Sequence, residues 1–396
     1  MKFGDLGLNF PKKRYNNEKK NINRDAKFKH LESKFFCRER ENHMDIGETQ
    51  NNKIELNNIS LYKCIMLFLV ILGHCCIVFN GNNWGGISKK GESTLWFGEI
   101  TNWLSTFHTY AFVFASGFLF SYGRYFQGKY KAAKRDLRKR VQRLLVPYIV
   151  ISIIWAMPID KLLLGMGVKQ ILKNYILVLS AAQLWFLVML FNVWLFFYIM
   201  SDFIIKLPSI VGIIGFVCLR LLCVWGEQNG LPVGVFGISN SMRYAFLFYL
   251  GMLSVCRSVK KDTYRLWAKC VILLLTEICV YTLYKHYIDF GLNVYLKEIL
   301  FIATNVNGVF LSWSVVNCFD CDKLVNHKCF TYISQCSMGI YLLHQQLLYI
   351  SMRIFNISWL HPIIFILLNF TIVIIVSFII VYYVRKTKLG RIILGG

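Results

Sequence analysis

The sequence predicts an all-α fold: a polytopic transmembrane helical bundle of about ten spans, with both termini cytoplasmic. The apolar residues come in long blocks, such as the run from Ile363 to Val384, and about 20 apolar residues match a bilayer core of about 30 Å. Of the 396 residues, 56% are hydrophobic and only 17% are charged, which is less charge than a soluble domain carries. Lysine and arginine also concentrate between the blocks, as in membrane proteins.

The chain divides into three parts by composition. Residues 1–55 are rich in Lys, Asn and Glu, so a disordered cytoplasmic tail is predicted; no apolar core of a signal peptide occurs there. Met44 lies shortly before the first apolar block, which leaves open whether the preceding residues are needed. Residues 56–388 form the predicted membrane domain, and residues 389–396 a short cytoplasmic tail.

The order of apolar and basic segments predicts the topology. The stretch 124–143 holds nine Lys or Arg and one Asp, and further basic clusters follow residues 256 and 384. The positive-inside rule places these loops in the cytoplasm. The segment 157–182 is either an interfacial helix or a further apolar excursion. The predicted spans are at about 59–79, 101–122, 144–163, 183–200, 209–225, 241–256, 268–288, 298–316, 331–351 and 362–384.

The formal net charge of +24 does not require a nucleic-acid partner. The charge follows the predicted cytoplasmic loops, so membrane lipids, and no nucleic acid, are the expected partners of this multi-pass protein of the cell membrane. The 13 cysteines are scattered and are expected to be free thiols. The cluster Cys318, Cys321, His327 and Cys329 resembles a zinc knuckle, but its spacing is poor and no metal is predicted.

Lys63 and His74 are ionisable residues within the first apolar segment. Eleven steps of about 100° return to within about 20° of the starting direction, so the two residues share one helix face, about 16 Å apart along the axis. A lysine near a helix end can snorkel to the interface, whereas a histidine inside a span is a functional candidate facing a polar cavity. Glu277, Arg220 and Arg243, also in or near spans, are predicted to form ion pairs or to line a path.

Five stretches resemble, in order, the motifs of acyltransferase family 3. They are "KCIMLFLVILGH" (63–74), "FHTYAFVFASGFLFS" (107–121), "RVQRLLVPY" (140–148), "LWFLVMLF" (184–191) and "ISQCSMGIYLLH" (333–344). The resemblance covers most of residues 57–385 and is closest to the fucose 4-O-acetylase-like branch. Lys63 stands where the family more often has arginine, and Tyr110 replaces a proline. Gly117, in the second stretch, is also a small residue that allows close helix packing.

The resemblance implies an integral membrane enzyme that moves an acyl group, expected to be acetyl, from coenzyme A to a hydroxyl of a cell-surface or lipid-linked saccharide. Acetyl-CoA is then the acyl donor, and no cofactor is bound permanently. Arg140 and Arg143, three residues apart on one helix face, are predicted to bind the phosphates of coenzyme A.

The predicted catalytic residues are Lys63 and three histidines. His74 is the expected base that takes the hydroxyl proton, with an acyl-imidazole intermediate as the alternative. His108 and His344 either converge with His74 or only form hydrogen bonds within the bundle. The rival function is a transporter or flippase of a lipid-linked glycan. The sequence shows no clear internal repeat and no paired Gly/Pro-broken helices, which favours the enzyme.

Overall fold

The computed structural model describes residues 47–81, 84, 86–87, 95–255, 263–289, 293–319, 322–356 and 360–395. These residues are mostly helical, with no β-strand among them, so the predicted all-α bundle is confirmed. The helices are α1 Gly47–Cys76, α2 Leu95–Ser121, α3 Ala133–Ile151, α4 Met157–Leu164, α5 Val168–Ile176, α6 Trp185–Ile204, α7 Ser209–Gln228, α8 Ile238–Ser254, α9 Thr263–Asp289, α10 Val294–Cys318, α11 Asp322–Val325, α12 Lys328–Ile354, α13 Pro362–Val384 and α14 Lys388–Ile393.

Each of the ten predicted spans falls on a long helix or a pair of continuous helices. In the described part of the chain, seven helical segments are long and apolar enough to cross a membrane. Three further helices are not among these seven. Helix α8 is too short, at 17 residues. Helices α2 and α12 are long enough, at 27 residues each, but their composition is not apolar enough. Whether these three helices cross the bilayer, and on which side the termini lie, stays a prediction.

The segment 157–182 contains two short helices, α4 and α5, instead of a further long apolar segment. Helix α4 continues α3 through a π-helical turn at Ser152–Ala156, and it ends at Gly165, whose φ of 64° is left-handed. The nine residues of α5 are too few to cross a bilayer core. The Tyr175 hydroxyl donates a hydrogen bond to Asp160 Oδ2 at 2.7 Å, so α5 is fastened to α4.

Helices α2 and α8 touch through two glycines. A Cβ atom at Gly117 would overlap the backbone of Phe248, and one at Gly251 would overlap the backbone of Phe114. Small residues of this kind let two transmembrane backbones approach closely. The contact therefore supports the prediction that Gly117 is a packing residue, and it fixes α2, which carries His108, against the bundle.

Gly117→Ala should lower the thermal stability of the protein in detergent. The added methyl group must displace the α8 backbone, and overpacking of a close contact costs about 1–3 kcal/mol. The measurement is the unfolding temperature of the purified protein, compared with Gly215→Ala on α7, where a Cβ meets nothing within 4 Å. Equal unfolding temperatures for both variants would contradict the close contact.

The other ionisable residues predicted in or near spans have partners within the bundle. Arg220 Nε lies 2.5 Å from Glu298 Oε1, and Arg243 Nη2 lies 2.6 Å from Glu227 Oε2. Glu277 accepts hydrogen bonds from Asn307 Nδ2 at 2.8 Å and Trp103 Nε1 at 3.2 Å. A buried charge is tolerated when it is paired and hydrogen-bonded.

Two predictions fall partly outside the described residues. The predicted disordered tail lies outside them up to residue 46, and α1 begins at Gly47. Cys321, one member of the possible zinc cluster, also lies outside them. Across the described ranges, no group of three or more His, Cys, Asp or Glu could hold a metal ion.

Candidate active site

His74 lies between two aromatic rings near the end of α1. Its imidazole stacks on His344 of α12, with ring centroids 5.4 Å apart and an interplanar angle of 18°. On the same ring, Trp84 stacks at 5.2 Å and 15°. The rings of Trp84 and Tyr349 make an edge-to-face contact, with their centroids 4.7 Å apart. We call His74, His344 and Trp84 the imidazole stack.

The hydrogen bonding of His344 defines its tautomer. Nδ1 lies 2.6 Å from the carbonyl oxygen of Tyr341, one turn earlier on α12. Because a carbonyl oxygen can only accept a hydrogen bond, Nδ1 carries the ring hydrogen and donates the hydrogen bond. Nε2 then presents a lone pair, and it is buried without a hydrogen-bond partner. A buried unpaired acceptor of this kind is available to a substrate proton or to water.

His108 of α2 is the third histidine of this region; it and His344 are buried, and His74 is half-buried. Its Nδ1 lies 2.9 Å from the Thr109 hydroxyl, and its Nε2 would be 3.7 Å from a Cβ at Gly73, next to His74. His344 stacks on His74, and His108 lies beside Gly73, the residue that precedes His74. The structure therefore brings the three predicted histidines together.

A basic pocket of about 420 Å³ is lined by residues of α1, α2, α3, α6 and α12. Its cations are Lys63 of α1, Lys129, and Arg140 and Arg143 of α3, and its lining includes no carboxylate among the residues that the structure describes. Lys63 is thus placed with the two arginines that the sequence predicts to bind coenzyme A. Along the described ranges, none of these four cations forms an ion pair, in contrast to Arg124, which binds Asp202 at 2.8 Å.

Arg140 and Lys63 are half-buried, whereas Lys129 and Arg143 are exposed. Arg140 lies against an aromatic ring. Its guanidinium carbon lies 5.0 Å from the centre of the Trp194 ring, and its Nε is buried without a hydrogen-bond partner. The aromatic face holds the guanidinium by a cation–π interaction while its N–H donors stay unused. An anionic ligand in the basic pocket would supply the missing acceptors.

The basic pocket leads toward the histidines along three helices. Its lining includes Leu67, Phe112 and Tyr341. His74 follows Leu67 by two turns of α1, and His344 follows Tyr341 by one turn of α12. On α2, which also contributes Phe112, His108 comes one turn earlier. One helical turn is about 5.4 Å, so the pocket ends within about 5–11 Å of the imidazoles along each helix axis.

Gln183, Tyr341 and Trp84 are site residues that the sequence did not single out. Gln183 Nε2 donates to the carbonyl oxygen of Leu342 at 2.6 Å and to Gln346 Oε1 at 2.8 Å. The Tyr341 hydroxyl donates to the carbonyl oxygen of Gln183 at 2.8 Å. These bonds fasten the start of α6 to the turn of α12 that carries His344. A glutamine at the start of an apolar segment, or a tryptophan in a stretch of Asn and Gly, is the signal that marks such residues in the sequence.

These features define a class of protein: a helical membrane protein with a cation-lined pocket one to two helical turns from a cluster of three histidines. The chain belongs to the acyltransferase 3 family, since the family model, described as an acyltransferase domain, matches residues 56–382. The predicted family is confirmed, and the protein is a membrane acyltransferase by this membership. No curated protein and no solved structure shows a significant match to the chain.

Proposed function

We propose that this protein transfers an acyl group, acetyl in the first instance, from coenzyme A to a hydroxyl of a cell-surface or lipid-linked saccharide. The observation that carries the proposal is the basic pocket of unpaired cations, which lies one to two helical turns from the imidazole stack. The family membership supports the acyl transfer. The motifs that resemble the fucose 4-O-acetylase-like branch support a sugar hydroxyl as acceptor. The protein would act as a multi-pass enzyme of the cell membrane.

The donor would bind with its phosphates in the basic pocket. Coenzyme A carries phosphate groups at one end and the reactive thioester at the other. Guanidinium and ammonium groups bind phosphate through charge-assisted hydrogen bonds, which are stronger than neutral ones. With Lys63, Arg140 and Arg143 on the phosphates, the acyl end would extend past Tyr341 to the imidazole stack. Acetyl-CoA would be a substrate, with no cofactor kept between turnovers.

The chemistry at the imidazole stack would be general-base catalysis. The acceptor hydroxyl oxygen attacks the thioester carbonyl carbon, its proton passes to an imidazole, and the carbon–sulfur bond breaks to release the thiolate of coenzyme A. The imidazolium then returns the proton to the thiolate, which leaves an ester and the free thiol. Neutral histidine suits this role at physiological pH. His74 is the proposed base, and His344 is the neighbour that shares its stack.

Direct transfer and transfer through an acyl-imidazole intermediate can be distinguished by the exchange of labelled coenzyme A into acetyl-CoA. In a covalent mechanism, the enzyme releases coenzyme A before the acceptor binds, so labelled coenzyme A should enter acetyl-CoA without any acceptor. With His74 as a base, no exchange should occur until the acceptor is present. His74→Ala membranes provide the background rate.

The test of the proposed function is transfer of label from acetyl-CoA in isolated membranes. Membranes that contain the protein should incorporate radiolabelled acetyl into a glycan fraction, and membranes with the His74→Ala variant should not. Transport of an unlabelled lipid-linked glycan, with no labelled product, would contradict the proposal and favour the flippase.

Lys63→Ala should weaken use of the acyl donor, whereas Lys63→Arg should retain it. Lys63 lines the basic pocket with Arg140 and Arg143, and arginine preserves its positive charge. Loss of one charge-assisted hydrogen bond should raise KM for acetyl-CoA by roughly tenfold. The control is Lys134→Ala, an exposed lysine of α3 outside the pocket lining. An unchanged KM in Lys63→Ala would remove Lys63 from the donor site.

A further inference from the structure

A second basic cavity adjoins the basic pocket. It has a volume of about 410 Å³ and shares Lys63, Arg143, Ser337 and Met338 with the first. Its own cations are Lys139 of α3 and Arg385, which directly follows α13, and the described part of its lining holds no carboxylate. We call this cavity the side pocket. Both volumes fall in the range of small-molecule sites.

One wall of the side pocket is formed by helix α14 and the residues that follow it. The segment 388–395, predicted as part of the membrane domain and a short tail, contains α14, and it contributes Ile392 and Gly395 to the lining. Thr387 Oγ1 accepts a hydrogen bond from the Gly390 backbone N–H at 2.9 Å, which caps the helix. Leu394 is 2% exposed and belongs to the hydrophobic core.

This wall lies directly against the helix that carries the proposed donor arginines. A Cβ at Gly395 would lie 2.7 Å from the carbonyl oxygen of Arg143, and 3.3 Å from Cγ of Pro147. Pro147 has no N–H, so it leaves the Arg143 carbonyl without its usual helical hydrogen bond. The break in the α3 ladder is therefore where the segment 388–395 packs, with Arg385 on the same cavity.

The cations of the side pocket are available to an anionic ligand. In the portion of the chain that the structure describes, no ion pair joins Lys139 or Arg385 to an acidic side chain. Two cations on separate elements, at one cavity whose described lining has no carboxylate, can both contribute to binding a phosphate group. Because the cavity shares Lys63 and Arg143 with the basic pocket, one ligand with two separated phosphate groups can occupy both.

We infer that the side pocket binds the 3′-phosphate of the nucleotide part of coenzyme A, through Arg385 and Lys139, while the basic pocket takes the diphosphate and the pantetheine arm. The inference rests on the proposed function, since it assigns a part of the same donor. It makes Arg385 and Lys139 specificity residues, which select coenzyme A over the analogue without the 3′-phosphate. An anionic lipid headgroup offers the same phosphate chemistry, and the experiment separates the two sources.

The test compares acetyl-CoA with acetyl-3′-dephospho-CoA as donors, in vesicles of phosphatidylcholine that also contain, as acceptor, the glycan fraction labelled in the membrane assay. The parent protein should show a KM for acetyl-CoA roughly tenfold lower than for the dephospho donor, the usual gain from a charged hydrogen bond. Arg385→Ala and Lys139→Ala should each raise KM for acetyl-CoA, leave KM for the dephospho donor unchanged and leave kcat unchanged. Arg385→Lys should restore part of the discrimination. Lys388→Ala, on the same segment but outside the pocket lining, is the matched control.

Three results would overturn the inference. Equal KM values for the two donors in the parent protein would exclude a 3′-phosphate subsite while acyl transfer stands. A parallel rise for both donors in Arg385→Ala would indicate a structural role. Inhibition by added phosphatidylglycerol that disappears in Arg385→Ala, with no discrimination between donors, would assign the pocket to a lipid headgroup.

The inference and the proposed function fail in different ways. If neither donor supports transfer, the proposed function fails. Binding of unacylated coenzyme A and of 3′-dephospho-CoA, measured by calorimetry on the same preparation, then decides the subsite. Roughly tenfold tighter binding of coenzyme A, lost in Arg385→Ala, supports it, and equal or absent binding overturns it.

Discussion

His74→Ala should lower the rate of acyl transfer by roughly 100-fold or more, the usual contribution of a positioned proton acceptor. Alanine leaves Trp84 and His344 without the ring between them, but it removes no part of the basic pocket. KM for acetyl-CoA should therefore stay unchanged while kcat falls. Membrane insertion should be normal, because alanine costs less in lipid than histidine.

The matched control is His286→Ala on α9, an exposed histidine outside the imidazole stack. A His74→Ala protein that acylates at the parental rate would exclude His74 as the base. His344→Asn then identifies the alternative: asparagine can still donate to the Tyr341 carbonyl, but it lacks the unpaired acceptor at Nε2. A large loss of kcat in His344→Asn, with His74→Ala active, would transfer the role to His344.

Arg140→Ala should raise KM for acetyl-CoA by roughly 10- to 100-fold and leave kcat little changed. The guanidinium lies against Trp194 with an unpaired Nε, and hydrogen bonds to a charged group contribute about 1.5–3 kcal/mol, which corresponds to this range of KM. Arg140→Lys should give an intermediate KM, since a lysine keeps the charge but not the forked donor geometry. Steady-state kinetics with acetyl-CoA as the varied substrate measures both effects.

Arg138→Ala is the control for this prediction, because Arg138 is exposed on the same helix and lines neither basic cavity. A drop in kcat at constant KM for Arg140→Ala would place Arg140 at the reacting atoms instead of at the phosphates. Identical kinetics in Arg140→Ala and Arg138→Ala would contradict the assignment of the pocket to the donor.

The helices themselves could be predicted from the sequence alone. The apolar run at Ile363–Val384 is helix α13 almost residue for residue, because a bilayer-spanning segment must satisfy its own backbone hydrogen bonds. The spacing of Lys63 and His74 also fixed one helix face without any tertiary information, since helical geometry sets the angle between residues eleven apart. Lys63 lines the basic pocket and His74 lies in the imidazole stack, further along α1.

Hydropathy by itself was less informative for the helices that carry the site. Helices α2 and α12 are long enough to cross a membrane, at 27 residues each, but their composition is not apolar enough to identify them as spans. They carry His108, His344 and several other polar residues that are buried inside the bundle. A helix that contacts other helices, and not lipid, does not need an apolar surface on every side.

The sequence by itself determined the fold class, the family and the candidate residues, because these depend on local composition, helical periodicity and short motifs. Only the tertiary structure decided which residues meet. His344 is 270 positions from His74 and stacks on it, and Trp84 comes from a connecting loop. Arg124 and Arg140 look alike in the same basic stretch, yet Asp202 pairs with Arg124 and no acidic side chain in the described ranges pairs with Arg140. Such pairings depend on how each helix is rotated and packed against distant neighbours, and no local pattern in the chain specifies that rotation.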